Sequence, residues 1–244
     1  MSLQNTTQKL RDKTMPLCTM VVAAAGSSTR MGGVDKLFAP IGGVPVLLRT
    51  LWAIDASKLV NEIIVATGEK NLEAVATLCA GAGLRKPVRV VLGGATRVHS
   101  VLAAALEAQP KTGIIAVHDG ARPFASPELI DECIRAGYRM QAAAPAVAVK
   151  DTVKVVAEDG RVAATPERAT LRAVQTPQVF HADLLKAALT AALQSGAPIT
   201  DDCSAVEQLG KAVYLIPGEE KNIKITTPHD LLIAEAMLAE EDVL

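Results

Sequence analysis

The chain of 244 residues is half hydrophobic, enough for one domain or two small ones with a sizeable core. Its 25 Lys and Arg against 26 Asp and Glu leave a net charge of −1, which argues against a protein held to nucleic acid by bulk charge. Three Phe, two Tyr and one Trp are too few for a base-stacking platform, and no apolar run is long enough to span a bilayer.

Residues 1–15 are polar and unpatterned and read as a disordered tail. Lys9, Arg11 and Lys13 precede an apolar stretch ending in Ala23-Ala24-Ala25, which imitates a signal peptide. That stretch is short and runs straight into a glycine loop, so it reads as a first strand over 20–25 in a cytoplasmic protein. A loop over 26–35 and a helix over 45–56 with Pro at its first turn follow. Next come a strand over 62–67, a helix over 71–82, a strand over 88–92, a helix over 97–108 and a strand over 113–118. Ser126 caps a further helix, with Pro127 at its first position and Glu128 in its first turn; a fifth strand covers 144–149. The alternation predicts an α/β, Rossmann-like fold: an open, twisted, mostly parallel sheet with helices on both faces, in one domain over 16–244.

Asp151 breaks the alternation. Two β-prone runs, 152–156 and 161–165, flank Asp159-Gly160, which signals a hairpin and an arm protruding over about 150–173. Helices over 182–194 and 201–209, a strand over 213–216 and a last helix from Pro228 to 239 complete the chain. Cys18, Cys79, Cys133 and Cys203 form no C-x-x-C pair and read as core thiols rather than zinc ligands or disulfides.

In open α/β sheets, ligands sit beyond the carboxyl ends of the strands. After the first strand, Ala24-Ala25-Gly26 leads to Arg30 and Lys36, which offers backbone N–H groups and cations to an anion. The spacing fits neither G-x-x-x-x-G-K-[ST] nor G-x-G-x-x-G, and the loop could equally be an ordinary connection. After the third strand, Gly93-Gly94 permits close approach of a flat ligand and Ser100 offers a hydroxyl; the plain alternative is a turn and a cap. After the fourth strand, Asp119 stands beside Gly120 and Arg122, which suits phosphates, a metal or sugar hydroxyls, or simply an Asp-Gly turn with a salt-bridged Arg. His118 reads as structural, pointing into the core.

In order, these segments resemble the cytidylyltransferase family that includes 2-C-methyl-D-erythritol 4-phosphate cytidylyltransferase, over about residues 18–240. The likeness also rests on Asp151-Thr152, Thr176-Pro177-Gln178, Ile199-Thr200-Asp201-Asp202 and Asn222-Ile223-Lys224-Ile225-Thr226. The resemblance implies that Arg30 and Lys36 hold the triphosphate of CTP and stabilise charge at its α-phosphate. Ala24, Ala25, Gly26, Gly93, Gly94, Ala95, Ser100 and Gly120 would surround the cytidine. Ala95 replaces a residue that is often acidic in the family, leaving base selection more to backbone groups. Arg168 and Lys224, counted as catalytic with Arg30 and Lys36, would receive the sugar phosphate with Asp119, Arg122, Thr152, Thr176 and Thr200. Mg²⁺ would enter mainly on the CTP phosphates, with no metal ligand set of the protein's own. The resemblance further implies a homodimer with exchanged arms, Thr152 and Arg168 reaching the partner's site, and neither nucleic acid nor membrane as partner. Other readings are a cytidylyltransferase for ribitol 5-phosphate or another polyol phosphate, and a non-catalytic CTP sensor. The failed glycine fingerprint argues against an NAD-dependent oxidoreductase.

Overall fold

Strand β1 (Leu17–Ala24) lies between two parallel partners, β4 (Val60–Thr67) and β6 (Thr112–Asp119), in the computed structural model, which describes residues 15–26 and 35–241. Its side chains alternate between two cores. Cys18, Met20, Val22 and Ala24 enter one, and Val21 enters the other. A strand covered on both faces is apolar at every position, so it reads as a continuous run rather than an alternation. Parallel β5 (Val88–Leu92) closes the β4 side of the eight-stranded sheet.

Helices cover both faces, as the β-α alternation requires. The first core takes Leu47, Leu51 and Ile54 of α1 (Val46–Ala56), Val75 of α2 (Leu72–Gly81), and Ile130, Cys133 and Ile134 of α4 (Pro127–Met140). The second takes Val101, Ala104 and Ala105 of α3 (Arg97–Leu106), Leu185 and Leu189 of α5 (Ala182–Ser195), and Val206 of α6 (Asp202–Gln208). The last helix, α7 (Pro228–Glu241), adds Ala234 to the first core. Ser126 caps α4 as its sequence indicates, accepting from the Leu129 N–H, with Pro127 at the first position. A two-residue pair, β2 (Pro40–Ile41) with β3 (Val44–Pro45), precedes α1.

The sheet is less parallel than the alternation suggests. β11 (Gln178–His181) inserts antiparallel between β6 and β7 (Ala142–Ala148), in a segment that reads as a connection. It has four residues, but the period of two holds: Val179 enters the first core and Phe180 the second. Ala146 pairs with Val174 of β10 (Arg172–Val174) and with Pro217 of β12 (Tyr214–Pro217). Ala143 pairs with Val179 of β11 and with Tyr214 of β12. Thus β10 and β11 run along one edge of β7, and β12 along the other.

The Asp-Gly hairpin is present but shorter than its sequence suggests. β8 (Val155–Val156) pairs antiparallel with β9 (Val162–Ala164), and Gly160 turns the chain at φ +84°. The pair joins no strand of the main sheet, and every residue from 151 to 165 is exposed. All four cysteines are free, and burial pushes each thiol above its ordinary range. Among the described residues, no helix is long and apolar enough to cross a membrane.

Candidate active site

The carboxyl ends of β1, β5 and β6 meet around a cavity of ≈ 310 Å³. Ala24, Ala25 and Gly26 come from the end of β1, and Lys36 and Leu37 from the loop beyond it. Gly94, Ala95, Thr96, Arg97 and Ser100 come from the turn between β5 and α3. Asp119 and Ala121 follow β6, and Lys224 precedes α7.

The β5–α3 turn is held by its own side chains. Thr96 caps α3 by accepting from the His99 N–H. The buried Ser100 hydroxyl accepts from the Gly94 N–H at 3.1 Å and donates to the Thr96 carbonyl at 2.9 Å. A Cβ on Gly93 would stand 2.7 Å from Ser100 Oγ, and one on Gly94 would collide with His99 Cβ. The paired glycines are therefore required by the packing of the turn on its own helix. That packing leaves the Gly94–Ala95 backbone on the cavity wall.

Among the described residues, three cations, Lys36, Arg97 and Lys224, and one carboxylate, Asp119, line this wall. Such an excess of positive charge in a cleft favours a polyanion. Asp119 lies 2.8 Å from Lys224 Nζ, 3.4 Å from Arg122 Nε and 3.7 Å from Arg97 Nη2. Burial would raise its pKa, but Lys224, Arg97 and Arg122 outweigh burial and hold the carboxyl well below the usual range. Arg122 Nη1 donates to the Asn222 carbonyl at 2.7 Å, and Asn222 Nδ2 to the Thr176 carbonyl at 2.9 Å. Three distant segments are thereby fixed around Asp119.

His118 completes this support. It is fully buried, with Nδ1 2.9 Å from Thr176 Oγ1 and Nε2 3.3 Å from the Arg122 carbonyl. The Arg122 carbonyl can only accept, so the neutral imidazole donates from Nε2 and Nδ1 accepts from the Thr176 hydroxyl, whose oxygen also accepts from the Asp119 N–H at 3.1 Å. Burial outweighs the attraction of Asp119 and brings the His118 pKa down to about 4. Unfolding restores the ordinary value near 6.5, so the unfolded chain binds the extra proton between these limits. Stability is expected to fall as the pH drops through that window, by about 2 kcal/mol between pH 7 and pH 5. Urea unfolding of wild type and His118→Gln at both pH values checks this; identical pH dependence in the two proteins contradicts it.

Asp202 lies fully buried at the start of α6, with Arg97 Nη1 2.7 Å from its Oδ2. Neither carboxylate oxygen receives an aligned hydrogen bond, so the contact is an ion pair without a directed N–H. Burial raises the Asp202 pKa against the pull of Arg97. Burying a carboxylate costs several kcal/mol, whereas a helix N-terminus returns only about 0.3–1 kcal/mol. The helix dipole alone does not account for an acid at this position.

Residues 18–240 match the sequence profile of 2-C-methyl-D-erythritol 4-phosphate cytidylyltransferase. The chain belongs to that family. An enzyme of that name from Caldanaerobacter subterraneus subsp. tengcongensis is 43% identical over 220 residues, 89% of this chain and 97% of the relative. One from Bacillus cytotoxicus is 44% identical over 221 residues, 90% of this chain and 97% of the relative. The crystal structure of a 4-diphosphocytidyl-2C-methyl-D-erythritol synthase from Anaerococcus prevotii superposes with a TM-score of 0.83 at 32% identity, covering 92% of this chain and 96% of that one. Membership makes the chain a CTP-dependent nucleotidyltransferase of isoprenoid biosynthesis.

Within this family member, the cavity gathers Ala24, Ala25, Gly26, Lys36, Gly94, Ala95, Ser100, Asp119 and Lys224 from the residues singled out in the sequence. Gly93 and Gly120 sit behind the wall; the Gly120 N–H donates to the Ala23 carbonyl at 3.0 Å. Arg122 and Thr176 are buried in the network around Asp119. Thr152, Arg168 and Thr200 are exposed and are not part of the cavity lining. Arg30 lies outside the described residues, as does nearly all of the expected tail. Arg97 and Asp202 were not among the residues given a role, although both stand in segments that carry the family likeness. Their signal is positional: Arg97 opens a helix just after a strand end.

Proposed function

We propose that this cavity is where cytidylyl transfer takes place. CTP lies along the Ala24–Gly26 and Gly94–Ser100 backbones, with its triphosphate toward Lys36 and Arg30. The sugar phosphate sits against Asp119, Arg122 and Lys224. The observation that carries the reading is that three cations, Lys36, Arg97 and Lys224, line one cavity at the strand ends. A phosphate oxygen of 2-C-methyl-D-erythritol 4-phosphate attacks the α-phosphorus of CTP in line. The new P–O bond forms as the bond to the bridging oxygen breaks, and pyrophosphate leaves with that electron pair. The attacking phosphate is already ionised, so no covalent nucleophile or general base is needed, and the protein supplies positioning and charge.

Among the described residues, Asp119 is the one carboxylate in the cavity lining, and both of its oxygens face cations. The lining therefore fits Mg²⁺ carried in on the triphosphate, bound mainly through phosphate oxygens as is common for this ion. Bound there, Mg²⁺ supplies further neutralisation of phosphate charge. Thr152 and Arg168, on the exposed arm, serve the partner's cavity in a homodimer with exchanged arms, and Thr200 serves the acceptor. Four free thiols support a cytoplasmic setting.

Pyrophosphate release, measured for a panel of nucleoside triphosphates crossed with a panel of sugar phosphates, tests the reading. The expected product is a CDP-sugar alcohol from CTP and methylerythritol phosphate, dependent on Mg²⁺. Turnover with ribitol 5-phosphate and none with methylerythritol phosphate would reject the acceptor and keep the class.

A further inference from the structure

Asp202 is a buried carboxylate with no part in the transfer chemistry just described. Capping of α6 is complete without its side chain. Asp201 Oδ1 accepts from the Ser204 N–H at 2.9 Å, and Gln178 Oε1 accepts from the N–H groups of Asp202 and Cys203 at 3.0 and 3.1 Å. The neighbouring charges Asp119 and Asp201 disfavour another anion there, and Arg97 is the cation that offsets them. Arg97 opens α3, directly after the turn that presents the Gly94–Ala95 backbone, and its guanidinium is divided between two acids. Nη1 lies 2.7 Å from Asp202 and Nη2 lies 3.7 Å from Asp119.

The geometry points to Asp202 as a positioning residue for the nucleotide, acting through Arg97. The nearer acid holds the guanidinium on the cavity wall and anchors the first turn of α3, and with it the β5–α3 turn. Without that charge, Asp119 draws the guanidinium toward the acceptor side, away from the nucleotide. The inference rests on the cavity being the CTP site.

The test is steady-state kinetics at saturating acceptor, below the melting transition of each protein. Asp202→Asn is expected to raise KM for CTP about tenfold, the usual scale for a lost charge-assisted contact, with kcat within about twofold of wild type. A residue that only stabilised the fold would lower the melting temperature and leave KM unmoved. Because Asp202 acts through Arg97, the double variant Arg97→Met/Asp202→Asn should have the same KM as Arg97→Met alone. An unaltered KM in folded Asp202→Asn overturns the role, as does a double variant whose KM change is the product of the two single changes. Should Asp202→Asn fail to fold, Asp202→Glu, which keeps the charge but displaces the carboxylate from Arg97, is measured instead. A wild-type KM there overturns the role, and a raised one supports it. If wild type itself does not turn over CTP, the reading of the cavity falls and this inference with it. A normal wild type beside an unaffected Asp202→Asn overturns the inference alone.

Discussion

Replacing Lys36 by alanine is expected to lower kcat by about 10²–10³ while changing CTP affinity much less. Lys36 lines the cavity just beyond the end of β1, among the groups assigned to the triphosphate. Charge shifts onto the leaving pyrophosphate only as the transition state forms. A donor placed for that moment contributes more to kcat than to ground-state binding. Steady-state kinetics with a direct measurement of CTP binding separates the two effects. A variant retaining half the wild-type kcat would identify Lys36 as an ordinary solvated lysine.

The second large effect comes from mixing two inactive proteins. Among the described residues the Asp-Gly hairpin pairs only with itself, and a two-stranded hairpin alone is marginal in water. Val155, Val156 and Val162 are 47%, 57% and 58% exposed, so the arm carries apolar surface that the described residues leave uncovered. If a second subunit covers it and Arg168 crosses to the partner's cavity, Lys36→Ala and Arg168→Ala are each inactive alone. Each mixed dimer then has one doubly damaged site and one intact site. Random exchange makes half the dimers mixed, so roughly a quarter of wild-type activity returns. No recovery, with subunit exchange verified and both parents inactive, would place Arg168 in its own chain's site.

The alternating frame was legible because β1, β4 and β6 are buried on both faces, and such strands announce themselves as apolar runs. His118 was legible as structural for the same reason: it ends an apolar strand. β10 and β11 were hidden by length and by their ends. Arg172, Ala173 and Val174 are all exposed, and β11 offers only Val179 and Phe180 between Gln178 and His181 before a helix begins. The cationic cavity was legible as a set of segments, because each ends a strand. What each side chain does there was less so. The Ser100 hydroxyl looks available for a ligand, yet it is occupied by Gly94 and Thr96. Thr176 looks like an acceptor contact, yet its hydroxyl is shared between Asp119 and His118. Arg97 and Asp202 acquire meaning only as a pair, and no spacing rule joins positions on α3 and α6.

The chain order of the cavity has a consequence for synthesis. Among the described residues, its wall begins at Ala23 and is finished by Lys224, some two hundred positions later. The segment that brings Lys224 also supplies the Asn222 carbonyl to Arg122, and its Ile225 N–H donates to the Ala121 carbonyl at 2.8 Å. A nascent polypeptide can build β1, β4, β5 and β6 on the ribosome while the floor beneath Asp119 still lacks these ties. Until residue 224 has emerged, Asp119 misses its nearest cation and the groove stays half-walled.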